Sequence, residues 1–292
     1  MIIDCIKIAD EIIQKSKKNV YLLNEIGVSP KLAIVLVGDD APSKIYIKNK
    51  TKACQKANIK TQEFILPYET SENDLIKLIE KLNTDQSITG ILVQLPLPKH
   101  INENKICQII SPAKDVDAFS PTVFGNFIFQ NSPLIPCTSC AIIEVLKHEN
   151  IELSGKHCVV IGRSKIVGKP TAALMLNHDA TVTICHSKTK NLTSICKNAD
   201  IIVSATGKPN LIKAEMVKNG AVIIDVGISK DANGNICGDV DFKNVEPLAS
   251  YITPVPGGIG PVTVAMLVHN TVTAAQIQCN QFQNLKKEVF LK

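Results

Sequence analysis

The sequence has no tryptophan, and aromatic residues fill only 4% of its 292 positions. Arginine is nearly absent too: of 32 basic residues, Arg163 is the one arginine, and the lysines are spread along the whole chain. With no basic stripe interleaved with stacking side chains, a nucleic-acid-binding surface is excluded. No apolar run approaches the ~18 residues that a membrane-spanning helix needs. The opening stretch MIIDCIKIADEIIQKSKK carries neither a basic leader nor an apolar targeting core, and reads as a short strand followed by an amphipathic helix. These absences set the expectation of a cytoplasmic globular protein with neither nucleic acid nor membrane as a partner.

What is present fits that expectation. Apolar residues make up 45% and charged residues 20%, enough for a full core without disulfide or metal staples. A formal net charge of +5 suits an anionic small substrate or cofactor. Ten cysteines are scattered between Cys5 and Cys279; with no secretory signal, they are expected to be reduced thiols acting as small apolar groups. Cys137-Thr-Ser-Cys140 has the spacing of a redox or zinc pair, but no second pair or histidine cluster accompanies it, and no metal is expected.

Apolar runs alternate with amphipathic segments throughout, the pattern of βαβ units around mainly parallel sheets. Strands are expected at 31–38, 61–67 and 90–97, with helices at 42–57 and after a Ser71/Asp74 capping box. Residues 111–136 hold Pro112, Pro121, Gly125, Pro133 and Pro136, a loop-rich crossing and the expected domain boundary. A second series follows: a helix at 138–149, strands at 157–162, 181–186, 200–205 and 221–227, helices near 169–177, 191–197 and 213–218, and a last helix at 261–278.

The segment HCVVIGRSKIVGKPTAALML is a strand, a turn with glycines at 162 and 168, and a helix. Such a turn gathers backbone N–H groups and a helix N-terminus where a pyrophosphate is held. It departs from G-x-G-x-x-G, since Ser164 replaces the middle glycine and the last glycine comes one residue late. Alone it is equally a structural turn. The next strand is more informative. An NAD site usually carries an acidic residue about 20 residues beyond the glycines. Here the strand ends in His186-Ser187-Lys188, with no carboxylate. Arg163, Ser187 and Lys188 suit a 2′-phosphate instead, so the turn reads as an NADP site.

In the first half, Tyr46 and Lys50 lie four apart and share a helix face, while Lys44, Lys48, Lys52 and Lys56 read as solvated charge. Gln94 and Pro96-Leu97-Pro98 lie at the carboxyl end of a buried strand, where open α/β sheets place ligands. Asp115 and Asp117 in KDVDAF either cap a helix or bind a substrate. Each is ambiguous alone; their order and spacing are not. VLVGDDAPSKIYIKNKTKAC, GILVQLPLPKHIN, SPAKDVDAFSP, PCT, GRSKIVGKP, GDVDF and TPVPGGIGPVTVAML together resemble the bifunctional methylenetetrahydrofolate dehydrogenase/methenyltetrahydrofolate cyclohydrolase family, over about residues 30–275.

The resemblance implies an α/β protein of two domains with a cleft between them. Residues 1–136 would form a catalytic, folate-binding domain on which a C-terminal helix, 263–292, packs back; residues 137–262 would form a Rossmann-like NADP-binding domain. It implies Lys50 as the central catalytic residue, Tyr46 and Gln94 as positioning groups, and Asp117 on the pterin-like ring. Gly162, Arg163 and Ser164 would bind the NADP phosphates, Ser187 the 2′-phosphate, and Ile228 the nicotinamide half. In the loop Pro256-Gly257-Gly258-Ile259-Gly260-Pro261, the absence of Cβ atoms would let the backbone approach cofactor and folate. The implied chemistry is oxidation of 5,10-methylenetetrahydrofolate by NADP⁺, then hydrolysis of the methenyl product to 10-formyltetrahydrofolate, in a homodimer. Because a nucleotide domain offers a sheet edge or helix face for symmetric pairing, the contact is expected mainly through about residues 165–240. A monofunctional dehydrogenase and a non-catalytic NADP-binding module are the rival readings. Four positions depart from the family pattern: Ala118 for glycine, Ser120 for histidine, Ser139 for proline and Ala141 for glycine. Ser139 is expected to loosen its helix start.

Overall fold

The computed structural model describes residues 1–231 and 234–290, with side chains as far as Cys279. The chain divides into two compact units: Glu11–Cys137 with the segment from Val264 onward, and Met1–Asp10 with Thr138–Thr263.

The first half of the chain runs α1 (Cys5–Glu25), β1 (Lys31–Val37), α2 (Ala41–Lys56), β2 (Lys60–Leu66), α3 (Glu72–Thr84), β3 (Gly90–Val93), α4 (Glu103–Ile109) and α5 (Pro121–Ile128). Its sheet is parallel in the order β2-β1-β3. All of β1 beyond Lys31 is buried, the mark of a strand covered on both faces. In α3, Ser71 Oγ accepts from Asp74 N at the start, and Leu75, Ile79 and Leu82 share the buried face. Each such side chain stabilises the unit by about 2 kcal/mol. α2 starts where Asp40 accepts from Ser43 N, with Pro42 in the first turn.

The second half continues with α6 (Cys137–His148), β4 (His157–Ile161), α7 (Gly168–Leu176), β5 (Thr181–Cys185), α8 (Leu192–Lys197), β6 (Ile201–Ser204), β7 (Val222–Asp225), β8 (Ser229–Lys230), β9 (Ile236–Cys237), α9 (Phe242–Val245), β10 (Tyr251–Ile252) and α10 (Ile259–Phe290). Five strands form a parallel sheet in the order β10-β7-β6-β4-β5, with β8 and β9 a separate antiparallel pair. The strand order reverses at β4, which lies between β5 and β6. The carboxyl ends of β4 and β6 therefore form the switch point at which doubly wound sheets hold ligands.

Several expectations need correcting. The strand expected at 90–97 stops at Val93: Gln94 N still donates to Val35 O, but Pro96 and Pro98 have no N–H to extend the ladder. The crossing at 111–136 contains α5, started by Ser120 capping Val123 N ahead of Pro121. The helix near 213–218 is only a 3₁₀ turn, Ala214–Met216, because Ile212 pairs with Val240. Residues 1–10, assigned with 1–136, group with the second unit, where Ile2 bridges Ile252 and Ile3 N donates to Ile252 O. Of the helix expected at 263–292, residues 291–292 and the side chains beyond Cys279 lie outside the described residues. Ser139 does not leave a loose helix start. It is fully buried in α6, and its hydroxyl hydrogen-bonds Thr171 Oγ1 on α7 at 2.9 Å.

Candidate active site

Lys50 sits in the third turn of α2, half-buried, and its Nζ donates to Gln94 Oε1 at 3.0 Å. Gln94 follows β3 directly, and its Nε2 donates to Leu95 O at 2.7 Å. That second bond fixes which way the amide faces, so the carbonyl oxygen is the end presented to Lys50. Tyr46 lies one turn earlier on the same face with 40% of its surface exposed, which leaves ring area for a ligand. Cys54, one turn beyond Lys50, is fully buried, and burial pushes its thiol up to about 12 against the opposing pull of Lys50. It stays protonated at neutral pH and offers no competing thiolate.

Asp117 reaches the same end of the sheet by a different route. Ile91 in β3 pairs in parallel with Asp115, and Ile91 N donates to Lys114 O. Residues 115–117 therefore run alongside β3 toward Gln94. Asp115 is buried and accepts from Ser120 N at 2.7 Å. Burial pushes its carboxyl up to about 6, with Asp117 adding to the rise. Asp117 itself is half-buried. Between them and α5, Ala118 holds φ +57°, which explains why glycine suits this position: an L-residue there costs roughly 1–2 kcal/mol. Ser120 serves as the α5 cap, and Ala141 is buried in α6.

In the second unit, every residue expected at the cofactor follows a strand of one parallel sheet. Gly162, Arg163 and Ser164 follow β4; Ser187 follows β5; Ile228 follows β7; and residues 256–261 follow β10. Ile161 pairs with Cys185, so Arg163 and Ser187 each stand two residues past neighbouring strand positions, and both are exposed. Gly162 takes φ +132°, and a Cβ there would lie 2.5 Å from Ala205 O; a Cβ on Gly168 would lie 2.2 Å from Gly162 O. The turn is thus pressed between β6 and α7, and only glycine fits at either point. Ser164 Oγ accepts from Val167 N and Gly168 N at 3.1 and 3.3 Å, so its hydroxyl is turned to the start of α7. His186 Nδ1 accepts from Lys188 N, which leaves the ring proton on Nε2.

In the last loop, Gly257 has φ +93° and a Cβ on Gly258 would lie 2.2 Å from Pro254 O, so the fold itself demands both. Gly260 differs: a Cβ there would meet open space. Ile228 is 51% exposed, as a side chain offered to a ligand is. Sequence reading gave no role to Asp225, nor to Asp239 of the GDVDF motif, buried carboxylates that accept hydrogen bonds from the loops after β6 and β7. Their signal was the pair of motifs Asp225-Val226-Gly227 and Gly238-Asp239, each placing a glycine beside an acid. The Cys137/Cys140 pair lies at the start of α6, and burial pushes the Cys140 thiol up to about 12, unsuited to exchange.

A parallel sheet with a glycine turn at its switch point, and a second parallel sheet with a lysine–glutamine pair at its carboxyl end, define a two-domain dinucleotide-dependent enzyme of the α/β class. Residues 3–117 match the tetrahydrofolate dehydrogenase/cyclohydrolase catalytic domain, and residues 136–279 match the NAD(P)-binding domain of the same family. The chain belongs to the tetrahydrofolate dehydrogenase/cyclohydrolase family. It is 52% identical over 273 residues to the bifunctional protein FolD of Agathobacter rectalis, covering 94% of this chain and 98% of that one. It is similar to the crystal structure of the bifunctional FolD of Campylobacter jejuni, with TM-score 0.93 and 43% identity over 95% of this chain and 99% of that one. The Trypanosoma brucei FolD complexed with NADP cofactor and inhibitor gives TM-score 0.91 and 37% identity over 96% and 98% of the two chains.

Proposed function

We propose that this chain oxidises 5,10-methylenetetrahydrofolate with NADP⁺ and hydrolyses the resulting 5,10-methenyl cation to 10-formyltetrahydrofolate. The observation that carries the reading is the bond from Lys50 Nζ to Gln94 Oε1, 3.0 Å long, with the amide itself held by Leu95 O. It sets one lysine at a fixed point at the carboxyl end of β3. When bound, NADP⁺ supplies the hydride acceptor. Gly162 and the N–H groups of its turn would hold the pyrophosphate, Arg163 and Ser187 the 2′-phosphate, and Ile228 the nicotinamide half.

In the hydrolytic step, water adds to the methenyl carbon and loses one proton. The resulting hydroxyl then gives up its proton as the ring C–N bond breaks and the departing nitrogen takes one, so that one proton is released overall. Lys50 moves the proton, Gln94 fixes its position, Tyr46 covers the substrate's aromatic portion, and Asp117 accepts hydrogen bonds from the pterin-like ring. Hydride transfer needs placement rather than a proton from the protein. A single assay series tests the reading. Methylenetetrahydrofolate is followed with NADP⁺ and with NAD⁺, and methenyl decay is followed separately. Faster reduction of NADP⁺ and methenyl loss above the uncatalysed rate are the expected results; oxidation without methenyl loss would leave a monofunctional dehydrogenase.

The proposed setting is the cytoplasm, and the proposed assembly is a homodimer paired through about residues 165–240. β5 supports that choice: it is an edge strand whose Ile184 is 44% exposed, beside an α7 that ends in Leu176 at 62%. Sedimentation at micromolar concentrations is expected to give twice the chain mass, and a monomer throughout would refute the pairing.

A further inference from the structure

The second unit contains two buried acids that the chemistry above does not use. Asp239 is fully buried, and four donors converge on its carboxylate: Ser204 Oγ, Thr206 N and Thr206 Oγ1 on Oδ2, at 2.8, 2.6 and 2.9 Å, and Lys208 N on Oδ1 at 2.9 Å. Asp225, 4% exposed, accepts from Gly227 N and Asp239 N on Oδ1 and from Val240 N on Oδ2, all within 3.0 Å. The two acids are interlocked through glycines. A Cβ on Gly227 would lie 2.2 Å from Asp239 Oδ1, and one on Gly238 would lie 2.0 Å from Asp225 Oδ2.

Burying a carboxylate costs several kcal/mol before its hydrogen bonds are counted, and well-packed apolar groups commonly stabilise a core as well or better. Two such acids side by side call for a purpose other than core stability. What they hold is specific. Asp239 ties down the loop after β6, residues 205–208, and the carbonyl of Ala205 in that loop is the surface against which Gly162 packs. Asp225 ties down Gly227 in the loop that leads to Ile228, and Ser229 Oγ donates to Gly207 O at 2.8 Å, joining the two loops. Both loops stand at the carboxyl edge of the sheet, on the side of Gly162 away from Arg163's neighbour strand β5.

We propose that Asp239, locked in place by Asp225, is a positioning residue for the pyrophosphate and nicotinamide half of the cofactor, acting through the 205–208 and 226–228 loops. The proposal rests on the assignment of this edge to NADP⁺. It separates the site into two parts: Arg163 and Ser187 at the ends of β4 and β5 for the adenosine 2′-phosphate, and the acid-held loops for the remainder.

The test is calorimetric titration of the full chain and of Asp239→Asn with NADP⁺ and with adenosine 2′,5′-bisphosphate, a probe that lacks the nicotinamide half. Asparagine keeps one acceptor oxygen but turns an NH₂ toward N–H donors. NADP⁺ binding is expected to weaken at least ~10-fold, the scale of one or two lost hydrogen bonds to a charged group, while the bisphosphate stays within about twofold. Methenyl hydrolysis by the same preparation should be unchanged, showing that the first unit is intact. Thr206→Val, which deletes one hydroxyl that donates to Asp239 and accepts from Lys208 N but removes no charge, is the milder variant and should weaken NADP⁺ about threefold with the same selectivity. Equal weakening of both ligands, or weakening of neither, would overturn the proposal. Titration needs no turnover, so a wild-type chain that binds NADP⁺ without oxidising methylenetetrahydrofolate would refute the function while leaving this test readable.

Discussion

Replacing Arg163 with alanine is expected to weaken NADP⁺ by roughly 1.5–3 kcal/mol, about 10- to 150-fold, and to change NAD⁺ far less. The magnitude is that of a hydrogen bond to a charged group, and the selectivity follows from where the residue stands. Arg163 is exposed two residues past β4, beside the equivalent position of β5 occupied by Ser187, and the end of β5 carries no acid to repel a 2′-phosphate. A guanidinium there would bind phosphate oxygens through two N–H groups at once, which the surrounding lysines could not copy. Inhibition constants for the two cofactors, measured on wild type and Arg163→Ala, check it. Equal losses would show that Arg163 does not read the 2′-phosphate.

The parts of this molecule that were legible in its sequence are those fixed by local pattern. β1 is a continuous apolar run because both of its faces are covered, and α3 announces itself through Ser71, Asp74 and the spacing of Leu75, Ile79 and Leu82. The helix α5 was equally encoded, since Ser120-Pro121 is a cap followed by a first-turn proline, but the other prolines around it hid the signal. Features set by distant partners were not readable. The segment at 213–218 has helical composition, yet Ile212 is drawn into a bridge with Val240 and leaves room for only one tight turn. The first ten residues join the second unit through Ile252, some 250 positions away. At the site, motif order nominated Lys50 and Gln94 together, but their contact spans 44 residues, and the bond to Leu95 O that orients the amide has no sequence signature. Asp225 and Asp239 stand in visible motifs, but their role was not readable for the same reason: each glycine's role depends on the acid of the other motif.

Lys50→Gln carries the largest expected loss and bears on the central claim. Surface lysines change stability or activity by no more than about 0.5 kcal/mol when replaced, and Lys48, exposed on the same helix, should behave that way. Lys50 differs because Gln94 holds its Nζ at a fixed point, and because the neighbouring Cys54 thiol stays protonated and cannot substitute. A glutamine amide neither accepts nor delivers a proton in the working pH range, so general acid–base catalysis is lost outright, at a cost of at least ~10²-fold. Oxidation should be spared by comparison, since it needs only close placement of the methylene carbon against the nicotinamide. The decisive measurement is therefore methenyltetrahydrofolate hydrolysis by purified Lys50→Gln, corrected for the uncatalysed rate and set beside NADP⁺ titration of the same sample. The account predicts hydrolysis reduced at least ~100-fold with NADP⁺ binding unchanged. Hydrolysis at the wild-type rate would contradict it.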